Sequence, residues 1–166
     1  MQNYTHITHT FEPVFDDHSK ILILGSLPSV RSREQGFYYG HPRNRFWKVI
    51  STLAKKSEPE SINEKKQLLL DSHIAIWDVV QQCDIIGSSD ASIRNVIPTE
   101  LNRVFESCEI NAVFANGSTA AKLYGKYQRL ITNKDIITLP STSPANAAWS
   151  LQRLIEAWQC ILKYLK

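Results

Sequence analysis

A chain of 166 residues, 43% hydrophobic and 21% charged, is long enough to bury a core without disulfide staples. Its net charge of +3 permits a polyanionic partner without demanding one. Three scattered cysteines, Cys83, Cys108 and Cys160, match no zinc or iron–sulfur spacing and read as small buried hydrophobes of a reducing compartment. With no secretory leader and no apolar run of membrane length, the expectation is one cytoplasmic domain over residues 1–166 that touches no membrane.

The first 19 residues are mixed. His6, His9 and His18 lack acids or cysteines in register for a metal, and Phe11 and Phe15 belong at the edge of a core. A first strand is predicted over Lys20–Leu24, an apolar run that stops at Gly25. A basic loop follows, and then helical spacing of Phe46, Ile50 and Leu53 over 44–54. A further helix is predicted over 61–71 and a second strand over Ile74–Val80, apolar except for Asp78. Residues 83–98 show little periodicity and read as a long functional loop. Next come a helix over 98–107, a strand over 112–115, a helix over 119–127 capped by Ser118, and a strand over 136–139. The last helix is predicted from Pro144 to Leu165 with an apolar stripe from Ala147 to Leu165, Ser143 capping it. Strands and helices alternating in this way imply a three-layer α/β/α sandwich around a central four-stranded, mainly parallel sheet.

Ligands of open α/β sheets bind beyond the carboxyl ends of the strands. Gly25-Ser26-Leu27-Pro28-Ser29 lies there, and Phe37-Tyr38-Tyr39-Gly40-His41-Pro42-Arg43-Asn44-Arg45-Phe46-Trp47 follows. The stretch holds Arg31, Arg33, Arg43, Arg45 and Lys48 against the single acid Glu34. Such a run is an ordinary solvated basic loop, unless the tyrosines among the charges stack bases while the cations meet phosphates. No Gly-rich dinucleotide fingerprint follows the first strand, which counts against a nucleotide-binding domain.

Together with Gly87-Ser88-Ser89-Asp90-Ala91-Ser92-Ile93 and Leu139-Pro140-Ser141-Thr142-Ser143-Pro144-Ala145-Asn146, these motifs resemble the uracil-DNA glycosylase superfamily in content and order, over roughly residues 11–160. The hypoxanthine-DNA (deoxyinosine) glycosylase branch is the most similar. The resemblance implies a monomeric enzyme that flips a deaminated base, most of all hypoxanthine, out of DNA and hydrolyses its N-glycosidic bond without metal or cofactor, leaving an abasic site for base excision repair. It leaves open a uracil or xanthine glycosylase of the same fold, or a catalytically inactive nucleic-acid-binding module.

In the mismatch-specific relatives the first loop carries an Asn that positions water; here Leu27 stands in its place. The resemblance then points to Asn44 as the catalytic amide, against the alternative that Asn44 caps a helix. Asp90 is the second catalytic candidate, a carboxylate able to accept a proton or merely cap a turn. Ser26, Leu27, Tyr39 and Asn116 are expected to bind the base, with Tyr39 stacking on it unless it is simply a core aromatic. Ser29, Ser32, Arg43, Ser141, Thr142, Ser143 and Asn146 are expected to meet DNA.

Overall fold

The computed structural model describes residues 3–166. Four parallel strands form its central sheet: β2 (Ile21–Gly25), β3 (Ile74–Asp78), β6 (Ala112–Asn116) and β7 (Ile137–Leu139), in the order β3-β2-β6-β7. Every residue of β2 and β3 is buried, which is why both read as uninterrupted apolar runs rather than alternating ones. The register is regular: Leu22 faces Ala75 on one side and Val113 on the other. From β2 the chain crosses to β3 in one direction, and from β6 it crosses to β7 in the other. Right-handed crossovers in opposite directions place their helices on opposite faces and create a switch point between β2 and β6. The three-layer α/β/α expectation therefore stands.

The helices are α1 (Val30–Gln35), α2 (Phe46–Leu53), α3 (Ile62–Asp71), α4 (Asn102–Phe105), α5 (Ser118–Tyr127), α6 (Arg129–Thr132) and α7 (Leu151–Trp158). Phe46, Val49 and Ile50 of α2 pack into the same core as Leu154 and Trp158 of α7. Helix α1 lies inside the predicted basic loop. It has no apolar stripe to betray it, but Ser29 accepts the Ser32 N–H at its start and Gly36 ends it at φ +71°.

Residues predicted as a long loop form most of a second sheet. β1 (Thr5–Thr8), β4 (Val80–Ile85) and β5 (Arg94–Pro98) pair antiparallel in the order β1-β4-β5. Only Val79 separates β3 from β4, so the chain steps from one sheet into the other within a single residue. Pro98 ends β5 instead of opening a helix, and α4 spans only four residues. Gly117, at φ +97°, occupies the cap position of α5, so Ser118 is its first helical residue. Cys160 is exposed, contrary to the expectation for all three cysteines.

The largest boundary correction is at the C-terminus. Residues 140–149 carry no helix; α7 begins at Leu151, and Ser150, not Ser143, accepts the Arg153 N–H that caps it. Ser150→Ala is therefore expected to lower stability by about 1 kcal/mol in urea titration. Pro144→Ala should leave the helix content unchanged by circular dichroism.

Candidate active site

A cleft of about 880 Å³ opens over the carboxyl ends of the central strands. Its walls are Gly25–Ser29 after β2, Asp78 at the end of β3, Asn116–Ala120 after β6 and Thr138–Asn146 around the end of β7, with Tyr39, His41 and Asn44 from the long first loop. The predicted motif loops thus converge on one place, at the switch point.

Three of the loops are tied together by one hydrogen-bonded chain. Asn116 and Thr142 pair twice: the Asn116 amide nitrogen donates to Thr142 Oγ1 at 3.0 Å, and the Thr142 N–H donates to Asn116 Oδ1 at 3.0 Å. Thr142 Oγ1 in turn donates to Asn44 Oδ1 at 2.8 Å. The same Asn44 oxygen accepts the backbone N–H of Phe46 at 2.9 Å, in the first turn of α2. A backbone N–H can only donate, so this contact fixes which end of the amide is oxygen. Both lone pairs of Oδ1 are occupied. Among the described residues nothing accepts from Nδ2, so the free end of Asn44 at the cleft is a pair of N–H donors. Asn44 satisfies a helix terminus and presents donors at once; the two sequence alternatives do not compete.

Tyr39 has a strained backbone, φ +53°, which a bulky side chain rarely adopts. Its turn is held by the buried Ser32, whose Oγ accepts the Gly40 N–H at 2.9 Å. The Tyr39 ring stacks on Phe46 at 4.1 Å between centroids and meets Trp47 edge-on. Its hydroxyl is buried beside Asn116 without forming a hydrogen bond of normal geometry. Burial first, then the charge of Asp78, push this phenol far above its ordinary value, against a smaller opposing effect of Asn116, so it stays protonated. Tyr38 points the other way into the core and donates to the Glu12 carbonyl at 2.8 Å.

The sequence pattern of the uracil DNA glycosylase superfamily matches residues 12–162. The chain belongs to this superfamily. Over 162 residues it is 32% identical to a protein of Methanosarcina acetivorans named hypoxanthine DNA glycosylase, covering 95% of this chain and 99% of that protein. A protein of the same name from Methanosarcina barkeri is 38% identical over 87 residues, 51% of this chain and 54% of that one. In structure the chain is similar to a provisionally assigned uracil DNA glycosylase of M. acetivorans solved by NMR. The TM-score is 0.79 at 29% identity, covering 93% of this chain and 96% of the other.

Within this superfamily fold the remaining expected site residues divide by accessibility. Ser26 and Leu27 are half-buried on the cleft wall. Asp90 is exposed on a short 3-10 turn, Asp90–Ser92, where Oδ2 accepts from Thr119 Oγ1 at 2.9 Å. Ser29 and Arg43 are exposed. Ser32 and Thr142, expected at the DNA surface, are buried at 2% and 0% and spend their hydroxyls on the fold. Arg45, one of the expected phosphate cations, turns inward: its guanidinium donates to the carbonyls of Ser143 at 3.0 Å, Asn146 at 3.1 Å and Trp149. The 141–146 loop is also folded on itself. Ser141 Oγ accepts the Ser143 N–H at 3.1 Å, Ser143 Oγ accepts the Ala145 N–H at 3.2 Å, and the Asn146 amide donates to the Ser141 carbonyl at 2.9 Å. Sequence reasoning named Asp78 and His9 but gave neither a place in the site; their buried side chains meet at 2.8 Å. The lone charge in an otherwise apolar strand was the available signal.

Proposed function

We propose that this protein is a DNA glycosylase that excises a deaminated base, hypoxanthine first, by hydrolysis of the N-glycosidic bond and so feeds base excision repair. The observation that carries the reading is the Asn44 amide, whose oxygen is locked into the fold and whose N–H pair is left for a ligand. The name borne by the two Methanosarcina relatives supports hypoxanthine as the base.

A base swung out of the stack enters the cleft beside Tyr39, at a cost of a few kcal/mol that is least for a mispaired base. As the glycosidic bond stretches, the sugar becomes positive and electron density moves onto the base. Asn44 donates to an acceptor of the departing base and stabilises that density, in a cleft where fixed dipoles act more strongly than in water. Water adds to C1′ of the sugar and loses a proton. Leu27 offers no side-chain group to hold that water. Asp90, with Oδ2 already accepting from Thr119, keeps a second carboxylate oxygen for water or for the positive sugar.

The test is a set of duplexes carrying deoxyinosine, deoxyuridine or deoxyxanthosine at one position, incubated with excess protein and then cleaved with alkali. Strand cleavage at deoxyinosine is expected; no cleavage at any of the three would leave a DNA-binding module in place of an enzyme.

Arg31, Arg43 and Lys48 are exposed and supply the proposed phosphate contacts. Affinity for duplex DNA is expected to fall with salt at a slope of about −0.9 per contact. Arg43→Gln should flatten that slope by about one contact.

A further inference from the structure

The first loop carries a cation that none of the roles above uses. Arg33 lies in the last turn of α1 and lines the cleft. It is half-buried, and its Nε is closed off from solvent without a hydrogen-bond partner. Among the described residues no carboxylate pairs with it and no carbonyl accepts from its guanidinium. The acids bordering the cleft, Asp78 and Asp90, are bonded to His9 and Thr119. Arg45, the other half-buried cation of the loop, is met by three carbonyls; Arg33 is met by none. A partly desolvated guanidinium without a counter-charge is costly. An arginine that only covers apolar surface keeps its whole head in water, and a closed-off Nε does not fit that pattern. The fold therefore holds a cation ready for an anion that it does not itself supply.

The surroundings suit such an anion. Burial first, and then the charge of Asp84, push the Cys83 thiol up, while the Arg33 cation acts in the opposite direction, so the guanidinium lies near the inner face of β4. That strand ends at Ile85, and Gly87 and Ser88 just beyond it border the same cleft. Gly87 takes φ +55° with nothing within 4 Å of where a Cβ would stand, so the glycine serves the backbone and leaves this wall open. Among the described residues neither the Gly87 nor the Ser88 N–H is engaged within the fold. At about 880 Å³ the cleft is of a size that takes a whole small-molecule ligand, more than one planar base fills.

We propose that Arg33 binds a backbone phosphate flanking the flipped nucleotide, with the Gly87 and Ser88 N–H groups completing the contact, so that the cleft grips the nucleotide by its backbone as well as by its base. The inference rests on the base-excision reading above. A phosphate running along the outer surface meets Arg31, Arg43 and Lys48, which are exposed. It does not reach a guanidinium recessed in the cleft wall. Turning a nucleotide out of the stack rotates its backbone towards the cleft, so Arg33 adds affinity only once flipping has occurred. The planar fork of a guanidinium suits two phosphate oxygens at once. The contact offsets part of the cost of unstacking and touches no reacting atom.

The test measures, by fluorescence anisotropy, binding to duplexes carrying a tetrahydrofuran abasic analogue, which cannot be cleaved, and to undamaged duplexes. Arg33→Met is expected to weaken binding of the abasic duplex at least about 10-fold, the usual contribution of one charge-assisted contact, and to leave undamaged DNA almost unchanged. Its urea midpoint should equal or exceed that of wild type, since methionine keeps the packing of the stem and leaves no unpaired cation. Replacing one flanking phosphate at a time by a neutral methylphosphonate locates the contact. At one position wild type should lose about the same factor while Arg33→Met loses nothing further. Equal affinities of the two proteins for the abasic duplex would overturn the proposal, and so would methylphosphonate losses independent of Arg33. Equal losses on damaged and undamaged DNA would overturn it by making Arg33 one more surface cation. A lowered urea midpoint would do so by showing that the guanidinium is satisfied within the fold. None of these results touches base release from deoxyinosine duplexes by the wild type, so the glycosylase reading would stand. A wild-type protein that releases no deaminated base and binds the abasic duplex no better than undamaged DNA would remove both.

Discussion

Asn44→Asp is expected to lose about 10²- to 10³-fold in single-turnover base release while keeping its stability within about 0.5 kcal/mol. The aspartate retains an oxygen for the Phe46 N–H at the start of α2 and for the Thr142 hydroxyl, so the loops stay tied. What it loses is the N–H pair that the wild-type amide presents to the cleft. Asn44→Ala removes both functions and should add about 1 kcal/mol of destabilisation to a similar loss of rate. Asp90→Asn, measured in parallel, removes a charge from the exposed rim and tests the second candidate. A rate that survives in Asn44→Asp and collapses in Asp90→Asn would move the catalytic role to Asp90.

Arg45→Met should be the most destabilising change on the surface of the first loop, at about 3 kcal/mol in urea titration. A cation at the first turn of a helix is unfavourably placed with respect to the helix dipole. Arg45 is held there by carbonyl groups: those of Ser143, Asn146 and Trp149 accept from its guanidinium, and that of Thr142 accepts its backbone N–H at 3.1 Å. Methionine keeps the aliphatic packing and removes the three side-chain donors, so the 141–149 segment should become accessible to limited proteolysis. Arg45→Lys should recover less than half of the loss, because an ammonium cannot spread donors over carbonyls on a planar fork. Undiminished stability in Arg45→Met would mean that the loop is held by its own internal turns.

β2 and β3 were legible because strands buried on both faces leave uninterrupted apolar runs in the sequence, and β6 and β7 because each is a short run ending at a turn signal, Asn116-Gly117 and Pro140, although Ile137 and Thr138 of β7 are exposed. The antiparallel sheet was not. β4 places Gln81, Gln82 and Asp84 at half-buried positions, and β5 is exposed or half-buried along its whole length, so neither shows a clean apolar alternation. Helix α1 was hidden for a related reason: VRSREQ buries only Ser32, and its signal was the cap, Ser29. At the C-terminus two serines competed. Ser143 before Pro144 has the chemistry of a helix start, but Arg45 holds the carbonyls of residues 143, 146 and 149 in a turn, so the helix waits for Ser150. The site divides along the same line. Most residues of the cleft wall announced themselves by type, Asp78 excepted, whereas Ser32, Thr142 and Arg45 have surface chemistry and interior roles that only long-range contacts assign.

β1 has a practical consequence for anyone trimming the protein. The superfamily pattern begins at residue 12, and a fragment cut at that boundary would look complete by its motifs. It would lack Thr5–Thr8, whose register along β4 runs from Ile85 to Gln82, and Ile7, which is buried in the core. It would also lack His9, and Asp78, only 3% exposed at the cleft floor, would lose the hydrogen bond on Oδ2. An unpaired buried charge costs far more than the loss of a frayed end. A shortened version is therefore better begun before residue 4, so that β1 and His9 are kept.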